Sequence, residues 1–109
     1  MYNSPTEKDR KEILVIGATN TDISGKCLYP LVMGDSNIGK VSTGLGGVGH
    51  NIALNLSRMG KRVSFITSLG SDNFGASARK ELENVMDISD SVFFHGPSGV
   101  YLYVSDEKG

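Results

Sequence analysis

Tryptophan is absent from these 109 residues, and cysteine occurs once, at Cys27. A single thiol cannot build an internal disulfide framework, and such usage fits a reducing compartment. Proline is scarce, at Pro5, Pro30 and Pro97. No apolar run approaches the ~18 residues that cross a bilayer, and the polar N-terminus has no signal-peptide core. Excess charge is missing too: 11 Lys and Arg against 12 Asp and Glu leave a net charge of −1 and a pI near 6.1. That balance speaks against a nucleic-acid surface or an anionic membrane as partner. The expectation is a soluble cytoplasmic protein that binds neither.

Glycine is what the chain has in abundance, 14 of 109 residues, about twice the usual ~7% and without a collagen-like period. The densest run, Gly44-Leu45-Gly46-Gly47-Val48-Gly49-His50-Asn51, stands at the head of an amphipathic segment, Ile52 to Met59. Residues without a Cβ allow a ligand or another backbone close to the main chain, and a helix start aims free N–H groups into that space. The run reads as a binding site.

Residues 1–12 form a polar tail ending in six charged residues, Glu7 to Glu12. Ile13 to Ile16, closed by Gly17, reads as a strand buried on both faces, as in parallel sheets. Arg62 to Thr67 is a second strand. Between them Ile52, Leu56 and Met59 recur at helical spacing and predict the buried stripe of a helix ending at Gly60, so strand, helix and strand suggest a right-handed βαβ unit. A second helix carries Phe74, Ala78, Leu82 and Val85 on one face, with Ser71 and Asp72 as N-cap types ahead of it. Ser91 to His95 and Val100 to Ser105, flanking Gly96-Pro97-Ser98-Gly99, read as two strands joined by a turn. The interval from Thr19 to Thr43 is too long for an ordinary strand-to-helix loop and suggests an inserted β-flap. Asp106-Glu107-Lys108-Gly109 is a turn signal that normally feeds another strand. Two buried strands and two helices leave apolar surface without a partner, so the expectation is the front part of a larger α/β fold.

Two motifs mislead. Gly44 to Gly49 matches G-x-G-x-x-G and opens a helix, but a dinucleotide fingerprint belongs in the tight turn directly after the first strand, and here the flap intervenes. Gly34 to Lys40 begins like a Walker A loop, G-x-x-x-x-G-K. Val41 stands where a magnesium-binding Ser or Thr belongs, and no helix follows at once.

The order of features resembles the PfkB (ribokinase-like) family of sugar and nucleoside kinases. Four pieces carry the likeness: the first strand leading to Asn20-Thr21-Asp22, the flap, Gly46-Gly47-Val48-Gly49-His50-Asn51 with its helix, and Gly70-Ser71-Asp72-Asn73-Phe74-Gly75. Within the family the strings Asp35-Ser36-Asn37-x-Gly39-Lys40 and Gly-Gly-Val-Gly-x-Asn-Ile-Ala look most like those of pseudouridine kinases. Val48 stands where ribokinases usually carry Lys, which weakens a plain-ribose reading.

The resemblance implies a ribokinase-like fold, a Rossmann-like βαβ core with a small β-sheet lid, here its N-terminal part over residues 13–109 with lid segments about 23–43 and 91–105. It implies an ATP-dependent phosphotransferase acting on a sugar or nucleoside. Asp22 would accept from two ribose hydroxyls, Asn20 would line the same pocket, and Gly46 and Gly47, with Val48 beside them, would let the sugar lie against the backbone. Asn51 would bond another hydroxyl. The lid would exclude water and could form a homodimer contact. The catalytic aspartate, ATP and Mg belong in this family to a C-terminal Gly-Ala-Gly-Asp region that the chain does not contain, so no catalytic residue is expected here and the chain alone should be inactive.

Other roles stay open for the same residues. Asp22 has a turn or cap role as its alternative, and Asn51 a helix N-cap role. A non-catalytic half-domain that binds a ribosyl ligand or dimerises is the rival from a different class. His50 and His95 read as structural or exposed rather than as a metal pair, and Cys27 as a packed flap residue. Tyr29, Tyr101 and Tyr103 pack on strands or, alternatively, stack on a base; Asn37 could read the base of a nucleoside.

Overall fold

A computed structural model describes residues 13–109, and the charged tail lies outside them. Along the chain run β1 (Ile13–Ile16), β2 (Asn20–Cys27), β3 (Gly39–Gly46), α1 (Val48–Arg58), β4 (Val63–Ile66), β5 (Ser68–Leu69), α2 (Asn73–Glu83), β6 (Val92–Phe93) and β7 (Val100–Ser105). β1 pairs with β4 in parallel, Ile13 opposite Val63 through Ile16 opposite Ile66, with α1 as the crossover. Past β4 the ladder continues through the parallel bridge of Ser64 with Asp87 and the β5–β6 pair.

β2 and β3 form an antiparallel arm eight pairs long, Asn20 opposite Gly46 through Cys27 opposite Gly39, and β7 joins the other edge of β2 in parallel. The arm sets the outline of the molecule. Its radius of gyration is 18.1 Å and its long axis 72 Å, whereas a compact chain of this length would have a radius near ~13 Å.

The core gathers Ala53 of α1, Val63 and Phe65 of β4, Leu69 of β5, Ala78 and Leu82 of α2, and Met86 and Ile88 of the following segment. Two sequence expectations fail here for one reason. The face of α1 turned to the sheet carries His50 and Ala53, both buried, and Leu56 of the expected stripe packs against the core beside Leu54; Gly49, lying on Gly17, brings the helix close. Ile52 and Met59 are 49% and 73% exposed. Likewise β1 is covered on one side only: Val15 packs on the core while Leu14 and Ile16 are exposed. Among the described residues a single helical layer serves this strand, so periodicity named apolar positions but not the face that is covered. On α2, Ala78 and Leu82 are buried as expected and Phe74 is exposed, while Val85 lies beyond the helix, which ends at Glu83, and is exposed in the turn that follows.

The strands after Ser91 do not form a hairpin. β6 pairs with β5 and β7 pairs with β2, so Gly96-Pro97-Ser98-Gly99 is a crossover between two sheets. Side chains hold that crossover in place. Asp72, the N-cap of α2, accepts from Gly75 N (2.8 Å) and from Ser98 Oγ (2.7 Å) through Oδ1, and from Ser98 N (2.9 Å) through Oδ2. Gly70 N donates to Ser98 Oγ at 2.9 Å, and Ser71 N to the Gly96 carbonyl at 2.8 Å. One residue later, Thr21 N donates to the Gly99 carbonyl at 3.0 Å, which opens the β2–β7 pairing.

The bonds to Gly75 and Ser98 favour the charged carboxylate and hold the Asp72 pKa below its ordinary 3.8. A lowered folded-state pKa contributes stability above the unfolded-state value, and that contribution disappears as pH falls through the folded one. Asp72→Asn should therefore lower the melting temperature at pH 7 and flatten its decline below about pH 4. A variant that melts like the parent at both pH values would contradict this role.

Candidate functional site

Alternation along β2 sends Asn20 and Asp22 to one face and Thr21 to the other. Thr21, 8% exposed, lines with Thr43, Leu45, Phe74, Ala78 and Glu81 a cavity of about 310 Å³ against α2. Asn20 and Asp22 face away from it. Their cross-strand partners on β3 are Gly46 and Gly44, so no β3 side chain covers this face. A Cβ at Gly46 would fall on the Asp22 carboxylate; glycine there is what gives Asp22 its place. On the other side of Asp22, in register on β7, stands Tyr101, exposed and with its ring centroid 5.4 Å from that of Tyr103.

Asn20 Nδ2 donates to Asp22 Oδ1 at 2.6 Å. This bond turns the Asn20 amide and fixes the carboxylate, leaving acceptor capacity on Asp22 for a ligand. Asp22 thus stands within a strand, which removes the turn-or-cap alternative.

The strand runs straight into the helix. Gly47 is the N-cap of α1, at φ +100° and without any side-chain cap bond, and a Cβ on it would meet the Ala18 carbonyl. His50 N donates to that same carbonyl at 3.2 Å. A Cβ on Gly49 would come within 2.6 Å of Gly17 Cα, so the first helical turn rests on the β1–β2 loop backbone to backbone. Val48 and Asn51 are exposed at this end of α1, and Asn51, in the fourth helical position, is not the cap. The positive end of the helix dipole adjoins the same groups. Asn20, Asp22, Gly46, Gly47, Val48 and Asn51 are thereby gathered where β2, β3 and α1 meet.

Asn37 has another task. Its Oδ1 accepts from Val32 N at 2.8 Å, and its Nδ2 donates to the carbonyls of Val32 (3.0 Å) and Asp35 (2.9 Å). Both amide hydrogens are spent on shaping the tip of the arm, which leaves none to read a base. His50 goes the other way: it is buried and its Nδ1 lies 3.0 Å from Asn51 Oδ1, so a residue with no assigned role in the sequence adjoins the site. His95 is exposed and Cys27 is buried. The two decoy motifs also resolve: Gly44 and Gly46 lie within β3, and Gly39 and Lys40 open it, so neither run forms a phosphate-holding turn.

A sequence model of the pfkB family carbohydrate kinases matches residues 10–108. The chain belongs to that family. The PfkB chain is 34% identical over 101 residues to the guanosine-inosine kinase of Exiguobacterium acetylicum, which covers 90% of this chain and 33% of that protein. It is 37% identical over 70 residues to the pseudouridine kinase of Escherichia coli K12, covering 64% of this chain and 22% of that protein. A carbohydrate kinase structure from Agrobacterium tumefaciens superposes with a TM-score of 0.79 at 28% identity, covering 88% of this chain and 32% of that one. The fold is ribokinase-like, and the chain spans a third or less of the length of these curated relatives.

Gly46→Ala should displace the Asp22 carboxylate and cost about 1 kcal/mol, the worth of the Asn20–Asp22 bond it breaks. Thermal denaturation would read the loss, and the NMR signals of the Asn20 side-chain amide should shift as its bond to Asp22 breaks. Unchanged stability with unchanged amide signals would refute the steric role of Gly46.

Proposed function

We propose that the protein these residues serve is an ATP-dependent kinase that phosphorylates a nucleoside, pseudouridine at its 5′-hydroxyl, and that this chain supplies its sugar site. The observation that carries the proposal is Asp22, held by Asn20 on a strand whose neighbour presents Gly46 and Gly44. A carboxylate accepts from both hydroxyls of a vicinal diol, and the bare β3 backbone leaves room for a sugar ring. Asn51 would bond a further hydroxyl from the helix end. Tyr101, in register with Asp22, supports a nucleoside over a plain sugar, since an exposed ring beside the diol acceptor gives a base a surface to stack on. The stretch shared with a pseudouridine kinase supports that substrate.

In this proposal the chain orients the acceptor and keeps water from it, and the β2–β3–β7 sheet acts as the lid. The described residues contain no grouping of three or more His, Cys, Asp or Glu able to hold a metal ion. By its likeness to the family, we assign ATP, Mg and the catalytic base to a C-terminal Gly-Ala-Gly-Asp region, and the 109-residue chain alone should bind without transferring phosphate. Among the described residues the outer edges of β3 and β7 are unpaired and offer a surface for a homodimer, and a reducing cytoplasm is the compartment assigned.

A purine nucleoside is the second reading, favoured by the likeness to a guanosine-inosine kinase over 90% of the chain. A panel of pseudouridine, uridine, inosine, guanosine and ribose on the intact enzyme separates the two. Asp22→Asn should lower kcat/KM for the preferred nucleoside about 10–100-fold, mainly through KM, as loss of charge-assisted hydrogen bonds does. The KM for ATP should stay the same. Unchanged nucleoside kinetics would overturn the site.

A further inference from the structure

Neighbouring side chains on a helix do not ordinarily face each other, yet His50 and Asn51 meet at 3.0 Å, Nδ1 to Oδ1. His50 is 4% exposed, and its backbone N–H is bound to Ala18, so its ring has a fixed place under the first turn of α1. Asn51 is exposed, one helical turn past Gly47, where a Cβ would meet Asn20 at the start of β2. An amide carries two donors at one end and an acceptor at the other, and which end faces a ligand decides what it recognises. An amide oxygen only accepts, so this orientation of the Asn51 amide goes with an imidazole proton on Nδ1.

We infer that His50 is a positioning and specificity-determining residue: its buried Nδ1–H holds Asn51 Oδ1, turning the Asn51 NH₂ outward, so the site offers donors there to a ligand acceptor oxygen. The inference rests on the nucleoside reading only for the identity of that ligand. The opposite tautomer would accept from Asn51 Nδ2 and present an acceptor to the ligand instead. Water cannot readily replace a bond to a buried ring, so the orientation persists without ligand. The binding site is in this sense preorganised at Asn51.

The test uses the intact protein. Long-range ¹H–¹⁵N spectra at a pH where the ring is neutral report which His50 nitrogen carries the proton, and calorimetry reports affinity for pseudouridine and inosine. His50→Phe keeps a ring without nitrogens, and His50→Asn restores a donor near Nδ1; melting curves confirm that both fold. The expected result is a protonated Nδ1, binding weakened about 5–10-fold in His50→Phe, and recovery of most of it in His50→Asn. A proton on Nε2 with Nδ1 bare overturns the inference by itself, even if both variants unfold, as does full affinity in a folded His50→Phe. If the unsubstituted protein binds neither nucleoside, the nucleoside reading fails, and the spectrum alone upholds or overturns the His50 assignment.

Discussion

The candidate site depends on one backbone contact: the first turn of α1 lying on the loop between β1 and β2. Gly17 and Gly49 meet with no side chain between them, and Gly47 lies against the Ala18 carbonyl. The His50 amide closes the contact by donating to that carbonyl. Only glycine permits this approach, and Gly47 in addition takes a positive φ. Because β2 begins three residues beyond Gly17, the contact fixes Asn20 and Asp22 relative to the helix end that carries Asn51.

A second constraint acts from the far side of β2. Asp72 caps α2 and grips Ser98 through three bonds in all, and the next residue, Gly99, opens the β2–β7 pairing. Asp22 is thus bordered on β3 by glycines, Gly44 and Gly46, and on the other edge by a strand whose start is tied to α2. The Ala18 carbonyl takes the His50 N–H, and the Asp72 carboxylate takes the N–H groups of Gly75 and Ser98 together with the Ser98 hydroxyl, which rigidifies both loops.

Much of this was legible in the residues. β1, β4, both helices and the Asp72 cap follow from apolar runs, helical spacing and N-cap chemistry, and the glycine run marked where backbone meets backbone, because close approach requires it. What periodicity could not give was direction. Of the stripe Ile52, Leu56, Met59, Leu56 packs on the core while the other two stay exposed, because the fit of Gly49 on Gly17 turns His50 and Ala53 inward. Val100 to Ser105 reads correctly as a strand, but pairing with β2 rather than β6 is a long-range choice set by Ser98 and Asp72, 26 residues apart. Asn37 and His50 exchanged significance for a similar reason: the partners of a side-chain amide or imidazole are invisible until the chain is folded around them.

The most direct measurement is a crystal structure of the intact protein with its preferred nucleoside. The account predicts both ribose hydroxyls within hydrogen-bonding distance of the Asp22 carboxylate, the ring over Gly46 and Gly47, and Asn51 bonded to the same ligand. A nucleoside bound elsewhere, with Asp22 still engaged only by Asn20, would contradict it.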